Sequence, residues 1–343
     1  MRDVDFRPKY SQAMVSDGLV TVDAVAEAGQ ANDLLRALEQ IGMTDISTYR
    51  NVVSGRIPLK SLNSVDSAKG LHIIRPVMAR TNVGLVESQG DVSMQSKTAK
   101  AQFGVDGAGQ TIGVLSDSFD AAAVGCADSL DPGVQMTTAD DDVASGDIPV
   151  VDVVEEIGDC GSIDEGRGMA QHIHDVAPGA NISFHSAFNG YANFAQGIID
   201  LADAGATVIV DDVFYFAEPL FMDGLIAQAV DEVNERGIPY FSSAGNSAYD
   251  SYESEFRNSG VFVPGIGLLH DFDPGSDVDY LQQITFEPGL TYIIFQWDQP
   301  FFTDTSGAAW SENDMDVVLL DSQMNLCIFF PPGGYFGCEG GSV

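Results

Sequence analysis

The chain has 343 residues and carries 51 acidic against 15 basic side chains, a formal net charge of −36 at pH 7. Residues 1–100 hold 12 basic and 11 acidic residues, which leaves 3 basic and 40 acidic ones for residues 101–343, and a step of that size marks a domain boundary. A surface so acidic repels nucleic-acid phosphates and anionic membranes, which argues against both as partners, and no apolar run reaches the roughly 18 residues of a membrane helix.

Taken in chain order, residues 1–80 read as a small α/β unit. Leu19–Val22 alternates like a strand. Ala31, Leu34, Leu35, Leu38 and Ile41 recur at helical spacing, and Gly42 ends that helix. Residues 46–53 read as a second strand, 61–69 as a short helix and 71–74 as a third strand. The order β-α-β-α-β predicts an open sheet covered by helices on one face. Residues 81–105 are polar and without period, as a linker would be.

From residue 106 the texture changes. Strands are predicted over 111–115, 148–155, 181–186, 207–211 and 238–242, with helices over 165–176, 194–204 and 223–236. Strands alternating with helices give an α/β fold with a doubly wound parallel sheet over 106–262. Ligands bind such sheets at the carboxyl ends of the strands, where Asp117, Asp211 and Asn246 fall. Beyond residue 262 the helices cease. Strands over 270–273, 280–286, 291–297 and 315–320, separated by Gly, Pro and Asp turns, predict an antiparallel β-sandwich module over 263–343. Four cysteines are present, and Cys126–Cys160 with Cys327–Cys338 is the simplest of three connectivities. None has C-x-x-C spacing, so zinc and redox motifs are disfavoured, and the even count leans towards an oxidising compartment.

The chemistry is concentrated in three boxes. Thr111-Ile112-Gly113-Val114-Leu115-Ser116-Asp117-Ser118 resembles the aspartate box of subtilisin-like serine proteases. Asp164-Glu165-Gly166-Arg167-Gly168-Met169-Ala170 aligns with that family's His-Gly-Thr-His-Val-Ala, which puts Glu165 where the catalytic histidine belongs. Ala177-Pro178-Gly179-Ala180 follows at the distance found in sedolisins, the acidic relatives that use a catalytic glutamate. The sedolisin aspartate one turn later is here Met169. Tyr240-Phe241-Ser242-Ser243-Ala244-Gly245-Asn246 resembles the strand that ends on the oxyanion-hole asparagine. Val208-Ile209-Val210-Asp211-Asp212 stands where the family has the strand lining the substrate cleft, so Asp211 or Asp212 would face substrate or merely end the strand.

The resemblance implies a serine endopeptidase precursor with Asp117, Glu165 and Asn246 as catalytic residues. Residues 1–80 would then act as an intramolecular inhibitor, and a polypeptide would be the substrate. A glutamate works as base only when its pKa is tuned upward, and a second carboxylate does this, so Asp117 and Glu165 are expected to share a proton. The competing expectation is that Asp164 and Glu165 only favour a helix N-terminus, worth about 0.3–1 kcal/mol. The Gly-Thr-Ser-x-Ala-Ala-Pro box of the nucleophile is not found. Ser306, in Asp304-Thr305-Ser306-Gly307-Ala308-Ala309, is followed by polar residues rather than an apolar helix and reads as a loop serine. The chain is therefore expected to stop short of the serine and to be inactive alone. Its charged start, Met1-Arg2-Asp3, is no signal peptide, and the protein is expected to be secreted from a start further upstream. No cofactor is implied as a requirement, calcium being left open for the Asp-rich segments. The alternative is an inactive relative that binds polypeptide or glycan.

Overall fold

The computed structural model describes residues 15–16, 18–77, 79–81, 90–122, 137–157, 162–247, 250–285, 293–301, 311–313, 315–321, 323–324, 327–330 and 335–338. The chain divides into two compact units, one of Met1–Gly245 with Trp297–Ser311, the other of Asn246–Gln296 with Glu312–Val343. The architecture is mixed α/β, with one parallel sheet of five strands and several antiparallel ones.

The first unit opens with β1 (Val15–Ser16), β2 (Leu19–Ala26), α1 (Ala31–Ile41), β3 (Thr44–Tyr49), β4 (Val52–Pro58), α2 (Leu62–Val65) and β5 (Leu71–Pro76). Helix α1 forms where the apolar spacing predicts it. Leu34 and Leu38 are buried, and Gly42, at φ 100°, closes the helix in a left-handed turn that suits a residue without Cβ. The single strand predicted over 46–53 is two strands, because Arg50 takes φ 53° and the chain reverses between Tyr49 and Val52. The sheet runs β1-β2-β4-β3, with β5 also on β2, and every pairing is antiparallel.

Both faces of β2 are covered, and its alternation shows how. Val20, Val22, Ala24 and Ala26 pack with Leu34, Leu38 and Val65, whereas Val25 joins Val52 and Val77 in a cluster with Tyr191, Phe194 and Ile198. β6 (Ala79–Thr81) follows. α3 (Gly90–Ser93) and α4 (Ser96–Phe103) lie in the stretch whose sequence shows no period.

The second half of the first unit holds β7 (Thr111–Ser116), α5 (Ala139–Ser145), β8 (Asp152–Glu155), α6 (Glu165–Val176), β9 (Asn181–Ser186), α7 (Tyr191–Asp203), β10 (Val208–Asp211), β11 (Val213–Tyr215), α8 (Leu225–Glu235) and β12 (Tyr240–Ser242). Helix α5 escapes the apolar periodicity because it is short and acidic. It is set by Thr138, whose hydroxyl accepts from Asp141 N–H while the Asp141 carboxylate accepts from Thr138 N–H. The parallel sheet has the order β12-β10-β7-β9-β8. Successive residues of β7 point to opposite faces. Val114 packs with Ile182, Phe184 and Ala170 of α6, and Leu115 with Ile209 and residues of α7 and α8. No described helix is long and apolar enough to cross a membrane.

In the second unit β13 (Asn258–Val263) and β14 (Gly267–His270) form one antiparallel hairpin, and β15 (Cys327–Phe330) with β16 (Tyr335–Cys338) another. The register of the latter sets Cys327 opposite Cys338. The strands predicted over 280–286, 291–297 and 315–320 are absent among the described residues, apart from a single bridge at Leu320. Leu281, Ile284, Ile293 and Phe295 remain exposed there, and without a neighbouring ladder an apolar alternation does not make a strand. Cys126, Cys160 and Ser306 lie outside the described residues, as do the side chains of Cys327 and Cys338.

Candidate active site

β7 and β10 are neighbours in the parallel sheet and pair with Leu115 opposite Asp211. Their carboxyl ends therefore lie side by side, and the residues that follow β7, Asp117 and Ser118, bond to the start of α6, with Asp212 following β10.

Asp117 is only 5% exposed. One of its carboxylate oxygens accepts the N–H groups of Glu165 at 2.9 Å and Ser118 at 2.5 Å, and the other accepts Ile163 N–H at 2.9 Å. Burial pushes its pKa up, these three N–H groups pull it back, and the neighbouring Asp164 adds to the rise. Asp117 is thus engaged with main chain on both oxygens, and it holds Glu165 by the backbone.

The carboxyl that meets Glu165 is Asp212. It is 8% exposed, and the Glu165 carboxyl and the Ser116 hydroxyl are its neighbours. Its pKa is pushed up to about 8, first by burial, then by the charges of Glu165 and Asp117. Carboxyls crowded at a buried site resist joint ionisation, which favours the protonated form of Asp212. Sequence reasoning named Asp212 without separating it from its neighbour.

Asp211 has different partners. Its carboxylate accepts Val213 N–H at 3.1 Å and the Ser242 hydroxyl at 3.1 Å, so it ties β10 to β12. Burial raises its pKa to about 6. Asn246 belongs to the second compact unit, while Asp117, Glu165 and Asp212 are brought together in the first.

Two further carboxylates hold the turn after β7. Glu156 accepts Phe119 N–H at 3.0 Å and Asp120 N–H at 2.8 Å. Burial pushes its pKa up, with Asp164 and Asp117 adding to the rise. Asp164 accepts the Ser118 hydroxyl at 2.9 Å and the N–H groups of Ala121 and Ala122 at 2.8 and 3.0 Å. Only the position of Glu156 just after a strand could have flagged it in the sequence. Asp164 reads there as a plain helix-end acid, yet its side chain caps the 118–122 turn rather than α6. Among the described residues no group of three or more His, Cys, Asp or Glu is arranged to hold a metal ion.

β6 lies antiparallel on β11, with Thr81 opposite Val213, the residue after Asp212. An extended piece of the chain's own N-terminal part thus ends beside the carboxyl cluster.

No family model matches the chain, and no curated protein matches it. Among solved structures it is similar to the epidermin leader peptide processing serine protease (EpiP) of Staphylococcus aureus, with a TM-score of 0.38 and 11% identity over 69% of this chain and 65% of that one. A mutant of the same protease gives a TM-score of 0.37 and 12% identity over 69% of this chain and 66% of that one. The chain spans just under two thirds of the length of these structures. The likeness is remote, and the functional reading rests on the carboxyl cluster.

Proposed function

We propose that the chain carries much of the catalytic part of a subtilisin-like serine endopeptidase, with Glu165 as general base in place of histidine and residues 1–80 as its pro-domain. The observation that supports this best is the neighbouring pair of Glu165, at the start of α6, and Asp212, at the carboxyl end of β10. A pair that keeps one proton against a raised pKa suits general acid–base work. In this reading Glu165 takes the hydroxyl proton of the nucleophilic serine, and Asp212 carries the proton that its raised pKa favours. Asp117 fixes the Glu165 main chain from below. The pairing of β6 along β11 supports a polypeptide as the ligand of this edge, held by main-chain hydrogen bonds, and is consistent with inhibition by the pro-domain.

The test is peptide hydrolysis by the full-length protein carrying Glu165→Gln, which keeps the shape but accepts no proton. Turnover is expected to fall by about two orders of magnitude or more at unchanged melting temperature. A helix-end role alone predicts normal turnover and a loss of at most about 1 kcal/mol in stability, and that outcome would end the case for Glu165 as base.

A further inference from the structure

After residue 100 the sequence offers three basic residues, Arg167, Arg236 and Arg257, against 40 acidic ones, and one of the three is buried. Arg167 is 5% exposed. Its Nη1 donates to Asp120 Oδ1 at 2.6 Å and its Nη2 to the Thr137 carbonyl at 2.6 Å. Nε lies 3.2 Å from Asp142 Oδ2, and Nη2 lies 3.3 Å from Asp164 Oδ2. One guanidinium thus gathers three carboxylates and a carbonyl, a task its planar fork of donors suits and a lysine's single ammonium does not.

We propose that Arg167 is a positioning residue for Glu165: it holds Asp164 in the conformation from which Glu165 enters α6 with its N–H on Asp117. Asp164 sits at φ 56°, a left-handed conformation uncommon for a residue with a Cβ. Such a residue persists where its surroundings over-determine it. Here Oδ1 takes the Ser118 hydroxyl and two N–H groups, the Asp164 N–H donates to Ser118 Oγ at 2.9 Å, and Oδ2 forms an ion pair with Arg167 Nη2 at 3.3 Å. Because Arg167 also grips Asp120 in the same turn, it closes a ring of contacts from the start of α6 to the turn after β7 and back. Glu165 and Ile163 flank Asp164, and both donate their N–H groups to Asp117. Losing the grip on Asp164 therefore loosens these two amides first. The competing account, a buried ion network that only stabilises the fold, predicts an even loss of protection everywhere.

The catalytic meaning of this inference rests on Glu165 being the base, but its test does not. Amide hydrogen exchange is followed on the 343-residue chain with Arg167→Lys, which keeps the charge and loses the fork. Exchange at Ile163 and Glu165 is expected to quicken by about tenfold or more, while Val114 and Ile209 in the parallel sheet exchange as in the parent chain. Asp164→Asn is the second variant. Asparagine tolerates the left-handed conformation but gives up the ion pair, so the same selective loss is expected even if Arg167→Lys does not fold. Unchanged protection at Glu165 in either folded variant, or a uniform loss across the sheet, overturns the proposal. A full-length parent that cleaves no peptide would sink the endopeptidase reading and leave the exchange result standing.

Discussion

Asp23 and Asp212 are both buried carboxyls in the first unit, and the chain accommodates them in opposite ways. Asp23 belongs to β2, on the face that packs against α7. Its Oδ1 accepts Tyr191 N–H at 3.0 Å and the Ser54 hydroxyl at 2.7 Å, the Ser54 oxygen accepts Ala192 N–H at 3.1 Å, and Arg75 Nε stands 3.9 Å from the other oxygen. Asp23 thus sits at the positive N-terminal end of α7 with a cation in attendance, and burial still wins in raising its pKa. Asp212 faces carboxyls instead. Burial first, and then the charges of Glu165 and Asp117, push its pKa up to about 8. The lesson is that a helix end and an arginine let a buried carboxylate serve as a structural cap. Where carboxyls crowd together instead, the protonated form of one of them is favoured, a property that acid–base chemistry can use.

Three experiments would break or sharpen this contrast. The largest loss of stability is expected from Asp117→Ala, because three N–H groups, one buried and two part-buried, lose their acceptor at once. A loss of about 3 kcal/mol or more should appear in urea unfolding. Asp117→Asn should cost less, since its amide oxygen can still take the Glu165 and Ser118 N–H groups. If Asp117→Ala proves milder than alanine at Asp23, the cluster is not organised around Asp117.

The second concerns pH. The folded-state pKa of Asp212 lies above its ordinary value, so the folded state binds more protons, and stability falls as pH rises from about 4 towards 8. Asp212→Asn should flatten that slope by on the order of a few kcal/mol across the window, measured as unfolding free energy at pH 5 and pH 8. Parallel slopes in parent and variant would mean that the Glu165–Asp212 pair holds no extra proton. The smallest effect is expected at the other region. Asp23→Ala strands Tyr191 N–H and the Ser54 hydroxyl and should cost about 1–3 kcal/mol. Asp23→Asn should retain most of that, because asparagine caps a helix about as well as aspartate.

The sequence alone determined the elements whose signal is local. Helix α1 carries its apolar stripe and its Gly42 stop, β7 its apolar run, α6 its start at Glu165 and end before Pro178. The α/β alternation follows from these, and so does the placing of Asp117 and Glu165 at element ends. Other features were decided only by the tertiary structure, because they depend on partners distant in the chain. The hairpin at Arg50 needs β2 beside β4. The apolar stretches at 280–285 and 293–297 show that alternation without a facing ladder does not suffice. The Asp211-Asp212 pair is the sharpest case, since adjacent residues at a strand end point opposite ways. β12 claims Asp211 through Ser242, and the start of α6 brings Glu165 to Asp212. Which carboxyl shares a proton with Glu165 is therefore a matter of strand order and side-chain direction, and one sequence read in line contains neither.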